Sequence, residues 1–261
     1  MSEHIAYRKE GPVGWLIFND PAHHNAITID MAEAVPPVME DFERDDSIRV
    51  VVVTGAGERA FAAGSNISTF GAVRSDPEQN RHYHRVNERA YDAVYECCKP
   101  TIAMIRGYCI GGGLDFAASC DIRICAADAS FSIPAGRLGV GYGYEGQLRL
   151  LRIVSPARAR DIFFSARRYS AVQALEMGLV HEVIEADALQ ERVGDYAALV
   201  AGHAPLTLRA LKQAFLEVER DAHRIDLPAT QAMIDACFTS EDYQEGRNAF
   251  AQKRTPVFRG R

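Results

Sequence analysis

Four short apolar runs limit what this chain can fold into: "VGWLIFN" (13–19), "RVVVVTG" (49–55), "TIAMIRGYCI" (101–110) and "DIRICAA" (121–127). In the first, Val13, Trp15 and Ile17 alternate with Gly14, Leu16 and Phe18, so the strand is apolar on both faces and belongs inside a sheet. "RVVVVTG" is the clearest buried strand, and the other two read as strands of the same kind. Helical patterns lie between them. "TIDMAEAVPPVMEDFERD" opens on Thr28 as a cap and carries Pro36 and Pro37, which are expected to kink or interrupt it. A long pattern runs from about Glu78 to Cys98, and "GLDFAASC" makes a short helix. This recurring order predicts an α/β fold of stacked βα units with their loops at one end. From about Ala186 onward only helical patterns remain, which places a boundary there and divides the chain into a 1–185 core and a 186–261 helical region.

Composition narrows the function. With 261 residues, 48% hydrophobic and 25% charged, the chain has enough material for its own core and does not resemble a disordered chain, collagen or a coiled coil. A net charge of -6 disfavours nonspecific contact with nucleic acid or an anionic membrane. The N-terminal residues show no secretory pattern and no run is long enough to span a bilayer, so no membrane partner is expected. Cys97, Cys98, Cys109, Cys120, Cys125 and Cys237 have neither CxxC spacing nor a disulfide framework, and read as reduced thiols of a cytoplasmic protein.

Several motifs lead nowhere. Gly55-x-Gly57-x-x-Ala60 mimics a dinucleotide fingerprint, but "FAAGSN" follows where that motif needs a helix to begin. His82 and His84 are two apart in a helical pattern and point to different faces. His23 and His24 lack a third ligand, so no metal site is expected. Two other segments are more pointed. "FAAGSNI" (61–67) and "IGGGLD" (110–115) each follow a buried strand and use glycine where the backbone turns sharply or is closely approached. A glycine-rich turn entering a helix leaves N–H groups unpaired. Two such turns side by side would aim two donors at one oxygen, as in an oxyanion hole; alternatively, both are only tight turns.

"FNDPAHHNAIT", "AFAAGSNI", "GYCIGGGLDFAASCDIRICAADASF", "ALEMGLVHEVI" and "EGRNAFAQKRTPVF" resemble, in order and spacing, successive signature blocks of the crotonase, or enoyl-CoA hydratase/isomerase, superfamily. The resemblance covers nearly the whole chain. It implies a spiral of ββα units with a helical C-terminal region used in trimer formation, often in a dimer of trimers. It also implies an acyl-CoA thioester as substrate, with CoA part of that substrate and no separate cofactor. Carried over by motif, the oxyanion donors are the backbone N–H groups of Ser65 and Gly112. Asn25 and Ala26 fall where the family lines its CoA channel, with Ala63, Asn66, Ile67 and Pro134 also near the substrate. Phe250 and Lys253 match a C-terminal CoA contact often supplied across subunits.

Asp115 is then the candidate proton carrier beside the reacting carbons, although it could instead only cap the helix it enters. The pattern departs from typical hydratases of the family, which carry glutamate at Asp115 and a second glutamate where this chain has Ala135. A methyl group cannot activate water. Dienoyl-CoA isomerases also have aspartate after the glycines, but their further acidic residues fall near Ala135 and Gly143. Asn66 replaces the family's usual aspartate. The nearest substitutes are Glu145, as a catalytic carboxylate or as a favourable charge at a helix start, and Tyr142 as a proton donor. These residues favour isomerase-like chemistry slightly over hydration. Another reaction of the superfamily, such as decarboxylation or hydrolysis, and a non-catalytic acyl-CoA-binding role stay open.

Overall fold

The computed structural model describes residues 2–66, 77–219 and 226–261. Its larger sheet takes strands β1 (Ile5–Glu10), β2 (Val13–Phe18), β3 (Val50–Gly55), β5 (Thr101–Ile105), β7 (Ile122–Ala126) and β10 (Glu182–Ile184), in the order β1-β2-β3-β5-β7-β10. β1 and β2 form an antiparallel hairpin, and every later pairing is parallel. A second sheet joins β4 (Ala60–Ala62), β6 (Tyr108–Ile110), β8 (Ser130–Ser132) and β9 (Tyr169–Ser170). The chain thus places a long strand in one sheet, a short strand in the other, and then a helix. This happens with β3, β4 and α2 (Pro77–Tyr95), and again with β5, β6 and α3 (Gly112–Ser119).

The valine run is explained by burial on both sides. Val51 and Val53 face the main core with Leu16, Phe18, Ala103 and Ile105. Val50 and Val52 face the opposite side with Trp15, Ile102 and Met104, under α8 (Leu189–Ala201), which contributes Leu189, Val193, Ala197 and Ala201. Side chains that alternate across a strand need apolar residues at every position when both faces are covered. α8 follows the expected boundary near Ala186 yet covers the sheet of the first region.

One local expectation is corrected, and of a second, that Pro36 and Pro37 kink or interrupt their helix, the interruption is excluded. "TIAMIRGYCI" is two strands, because the chain turns at Arg106 and Gly107 and β6 joins the other sheet. α1 (Ile29–Arg44) runs uninterrupted through Pro36 and Pro37, with Thr28 capping it by accepting from the Met31 N–H. The prolines remove two N–H donors, but Met31, Val35, Val38, Met39 and Phe42 stay buried along one face. Tertiary packing outweighs the local defect.

After β8 come α4 (Ala135–Leu138), α5 (Tyr144–Leu151), α6 (Pro156–Ser165) and α7 (Ala171–Glu176). The chain ends in α9 (Pro205–Glu219), α10 (Leu227–Thr239) and α11 (Glu241–Gln252). Among the described residues, no helix is long and apolar enough to cross a membrane.

Candidate active site

The two glycine turns meet. Gly64 has φ +90, and its carbonyl accepts from the Ile27 N–H at 2.7 Å while the Ala63 N–H donates to His24 at 3.0 Å. Asn25 fixes this stretch of chain. Its fully buried side chain accepts from the Asp20 N–H and donates to the carbonyls of Ala56 and Ala60. In the second turn, Gly111 adopts φ +51 and begins α3. A Cβ on Gly113 would lie 2.2 Å from the Ala62 carbonyl oxygen, so the close approach of the turns requires a glycine there. A Cβ on Gly112 would lie 3.9 Å from the Ser65 nitrogen. Neither the Ser65 nor the Gly112 N–H donates to an acceptor among the described residues. For Gly112 this follows from its place at the start of a helix.

Both residues line one cavity with Ala63, Asp115, Pro134 and Tyr142. Asp115 does not cap its helix: Gly111 holds that position, and the Asp115 side chain accepts a hydrogen bond from the Tyr142 hydroxyl. Asp115 is 7% exposed. Burial pushes its carboxyl up to about 6, against the opposing pull of Arg149 and the Tyr142 hydroxyl, and Glu88 adds to the rise. Burial, followed by the Asp115 charge, holds the Tyr142 phenol well above its ordinary value, so it remains a donor. Ile133, Ala135, Leu138 and Val140 form an apolar wall.

Sequence reasoning missed the facing wall. α2 contributes Glu88 and Tyr91 to the cavity. Glu88 Oε2 accepts from Arg149 at 2.8 Å, and the Arg149 guanidinium lies 4.7 Å over the Tyr91 ring. Arg149 is on α5 and its side chain is 4% exposed. A signal was present: an arginine inside the apolar run "LRLLRI" requires a buried partner.

Other expected residues lie elsewhere. Glu145 is exposed in the first turn of α5 and borders a separate groove with Asp92, Tyr95 and Glu96, so its carboxylate is a helix-start charge outside the cavity. Asn25, Ala26 and Asn66 do not line the cavity; the Ala26 N–H donates to the His23 carbonyl and the Asn66 N–H to the Ile27 carbonyl. Phe250, 88% exposed, lies on α11 in an apolar groove with residues of α9 and α10, and Lys253 caps α11. Ile67 lies outside the described residues. Among the described residues, no three His, Cys, Asp or Glu side chains are grouped to hold a metal ion.

A buried carboxylate beside two converging backbone donors is suited to moving a proton next to a carbonyl whose oxygen gains charge. Comparison with known proteins agrees in sequence and fold. The enoyl-CoA hydratase/isomerase family profile matches residues 8–261. The chain belongs to this family, within the crotonase superfamily. It is 31% identical to a short-chain-enoyl-CoA hydratase of Clostridium acetobutylicum over 96% of this chain and 95% of that protein. It is 31% identical to a carnitinyl-CoA dehydratase of Salmonella typhi over the full length of both. A crystal structure of an enoyl-CoA hydratase/carnithine racemase from Magnetospirillum magneticum superposes with a TM-score of 0.93 at 34% identity, covering 100% of this chain and 97% of that one.

Proposed function

We propose that the protein reversibly hydrates a 2-enoyl-CoA thioester through its enolate. The observation that carries this reading is the pair of N–H groups, on Ser65 and Gly112, that have no acceptor among the described residues and stand beside the buried Asp115 carboxyl. A thioester oxygen seated between the two donors takes the charge of the enolate, where preorganised donors in a dry site are worth several kcal/mol. Asp115 gives a proton to the α-carbon in hydration and removes it in dehydration. Its pKa of about 6 suits both directions near neutral pH.

The sequence favours isomerisation because Ala135 removes the family's second glutamate. The cavity has a second carboxylate, Glu88, which makes hydration the better reading. The hydratase and dehydratase among the relatives support the same choice. A double-bond shift through Asp115 alone is the second reading, favoured by the methyl of Ala135 in the cavity wall. The same proposal assigns the apolar faces of α9, α10 and α11 to contacts between copies of the chain in a trimer or a dimer of trimers. Exposed Phe215, Phe238 and Phe250 support that assignment. Phe250 and Lys253 would then meet CoA bound to a neighbouring copy.

The test is to incubate the protein in deuterated water with 2-enoyl, 3-enoyl and dienoyl-CoA esters and to weigh the products. Added water supports hydration. A shifted double bond without added water selects isomerisation, and unchanged esters that nevertheless bind leave a binding role.

A further inference from the structure

We infer that Glu88 is a second catalytic carboxylate, which draws a proton from the attacking water in place of the glutamate absent at Ala135. This inference rests on the enolate reading above. Glu88 lines the same cavity as Ser65, Gly112 and Asp115, although it comes from α2, far from them in sequence. Arg149 holds its Oε2 at 2.8 Å, which fixes the carboxylate's direction and balances its charge. Oε1 accepts no hydrogen bond among the described residues. The side chain is 26% exposed, so water reaches it.

The start of α5 relates the two carboxylates. A Cβ on Gly146 would lie 3.2 Å from Asp115 Oδ1, and a Cβ on Gly143 would lie 3.8 Å from Glu88 Oε1. Neither glycine adds a side chain there, and the Tyr142 ring, whose Cε1 would lie 2.6 Å from the Cβ on Gly146, occupies the space beside Asp115 and donates its hydroxyl to it.

In the hydration step, the Glu88 carboxylate takes one proton from water as the oxygen bonds to the β-carbon. The double-bond electron pair moves to form the enolate, with its charge on the oxygen at Ser65 and Gly112. The enolate then takes the Asp115 proton at the α-carbon and the thioester carbonyl re-forms. One water is added in total, and the proton left on Glu88 returns to Asp115 through solvent.

The experiment compares wild type, E88Q and the double variant E88Q/A135E in two assays. One measures hydration of but-2-enoyl-CoA. The other measures deuterium uptake at the α-carbon of butanoyl-CoA, which needs the donors and Asp115 but no attacking water. Glutamine keeps an acceptor for Arg149. We expect E88Q to lose about 10²–10³-fold in hydration while exchange stays within about threefold, and A135E to restore at least about tenfold of the loss. Hydration by E88Q at the wild-type rate overturns the role of Glu88. Equal loss of both reactions also overturns it, because it makes Glu88 a structural residue. Absence of exchange in the wild type removes the enolate reading itself.

Discussion

The glycine wall of the cavity and the helix wall facing it hold their functional groups by different means. On the glycine wall the groups are backbone N–H donors, set by Gly64, Gly111 and the packing of Gly113 on Ala62. On the helix wall they are side chains: Glu88 from α2, held by Arg149 from α5, and Tyr142 from the loop before α5, whose hydroxyl donates to Asp115. A backbone site is confined to a few consecutive residues whose types are dictated by conformation and space. A side-chain site can move to any element that reaches the cavity. Loss of a glutamate at Ala135 therefore need not mean loss of the second carboxylate.

The largest expected effect comes where the walls meet, at Asp115. Replacing Asp115 with Asn should lower turnover by about 10²–10⁴-fold, measured as kcat/KM for but-2-enoyl-CoA. The same substitution should stabilise the fold. The carboxyl is raised from 3.8 to about 6, so its contribution to stability is present below its ordinary value and lost as pH rises through about 6. Denaturant titrations should show Asp115→Asn gaining on the order of 1–3 kcal/mol more at pH 8 than at pH 4. An equal change at both pH values would show that Asp115 ionises without cost in the fold.

Next is the glycine wall itself. Gly112→Ala would bring a methyl to 2.7 Å from the Tyr91 hydroxyl and 3.9 Å from the Ser65 nitrogen, where the proposed reaction seats the thioester oxygen. Turnover should fall by about 10²–10³-fold, comparable to loss of an oxyanion donor, and α-exchange should fall with it. If exchange survives, the enolate oxygen is not between these two turns.

The difference between the walls also explains what could be read in the sequence. The α/β class, the buried strands and the glycine turns were legible because burial on two faces and close backbone approach restrict residue type locally. The split of "TIAMIRGYCI" between two sheets was not, since both halves are apolar and only the pairing partners tell them apart. Glu88 was not legible either: in "NERAYDAVY" it looks like one charge among several on a solvated helix. Its role depends on Arg149, 61 residues away. Glu145 was conspicuous in sequence because it lies near the family's usual position, but the start of α5 turns it outward.

A smaller effect is expected where one wall tunes the other. The Tyr142 hydroxyl and Arg149 hold the Asp115 carboxyl below the value that burial and Glu88 would give it. Tyr142→Phe removes the hydroxyl's hydrogen bond, so the Asp115 pKa should rise above about 6. α-Exchange needs ionised Asp115 as the base, so its rate rises with pH through that value, and the midpoint should move to higher pH in the variant. An unmoved midpoint would separate Tyr142 from the proton carrier.

The smallest effect is predicted for Glu145. Its carboxylate is exposed, stands in the first turn of α5, and borders a groove apart from the cavity. Glu145→Gln removes a favourable charge from a helix N-terminus, a change of about 0.3–1 kcal/mol in stability. Hydration of but-2-enoyl-CoA should stay within about twofold of wild type. A large loss of kcat with an unchanged melting temperature would mean that the start of α5 rearranges around substrate and turns Glu145 inward. The carboxylate replacing the one missing at Ala135 would then come from this loop, and Glu88 would be left as the partner that positions Arg149.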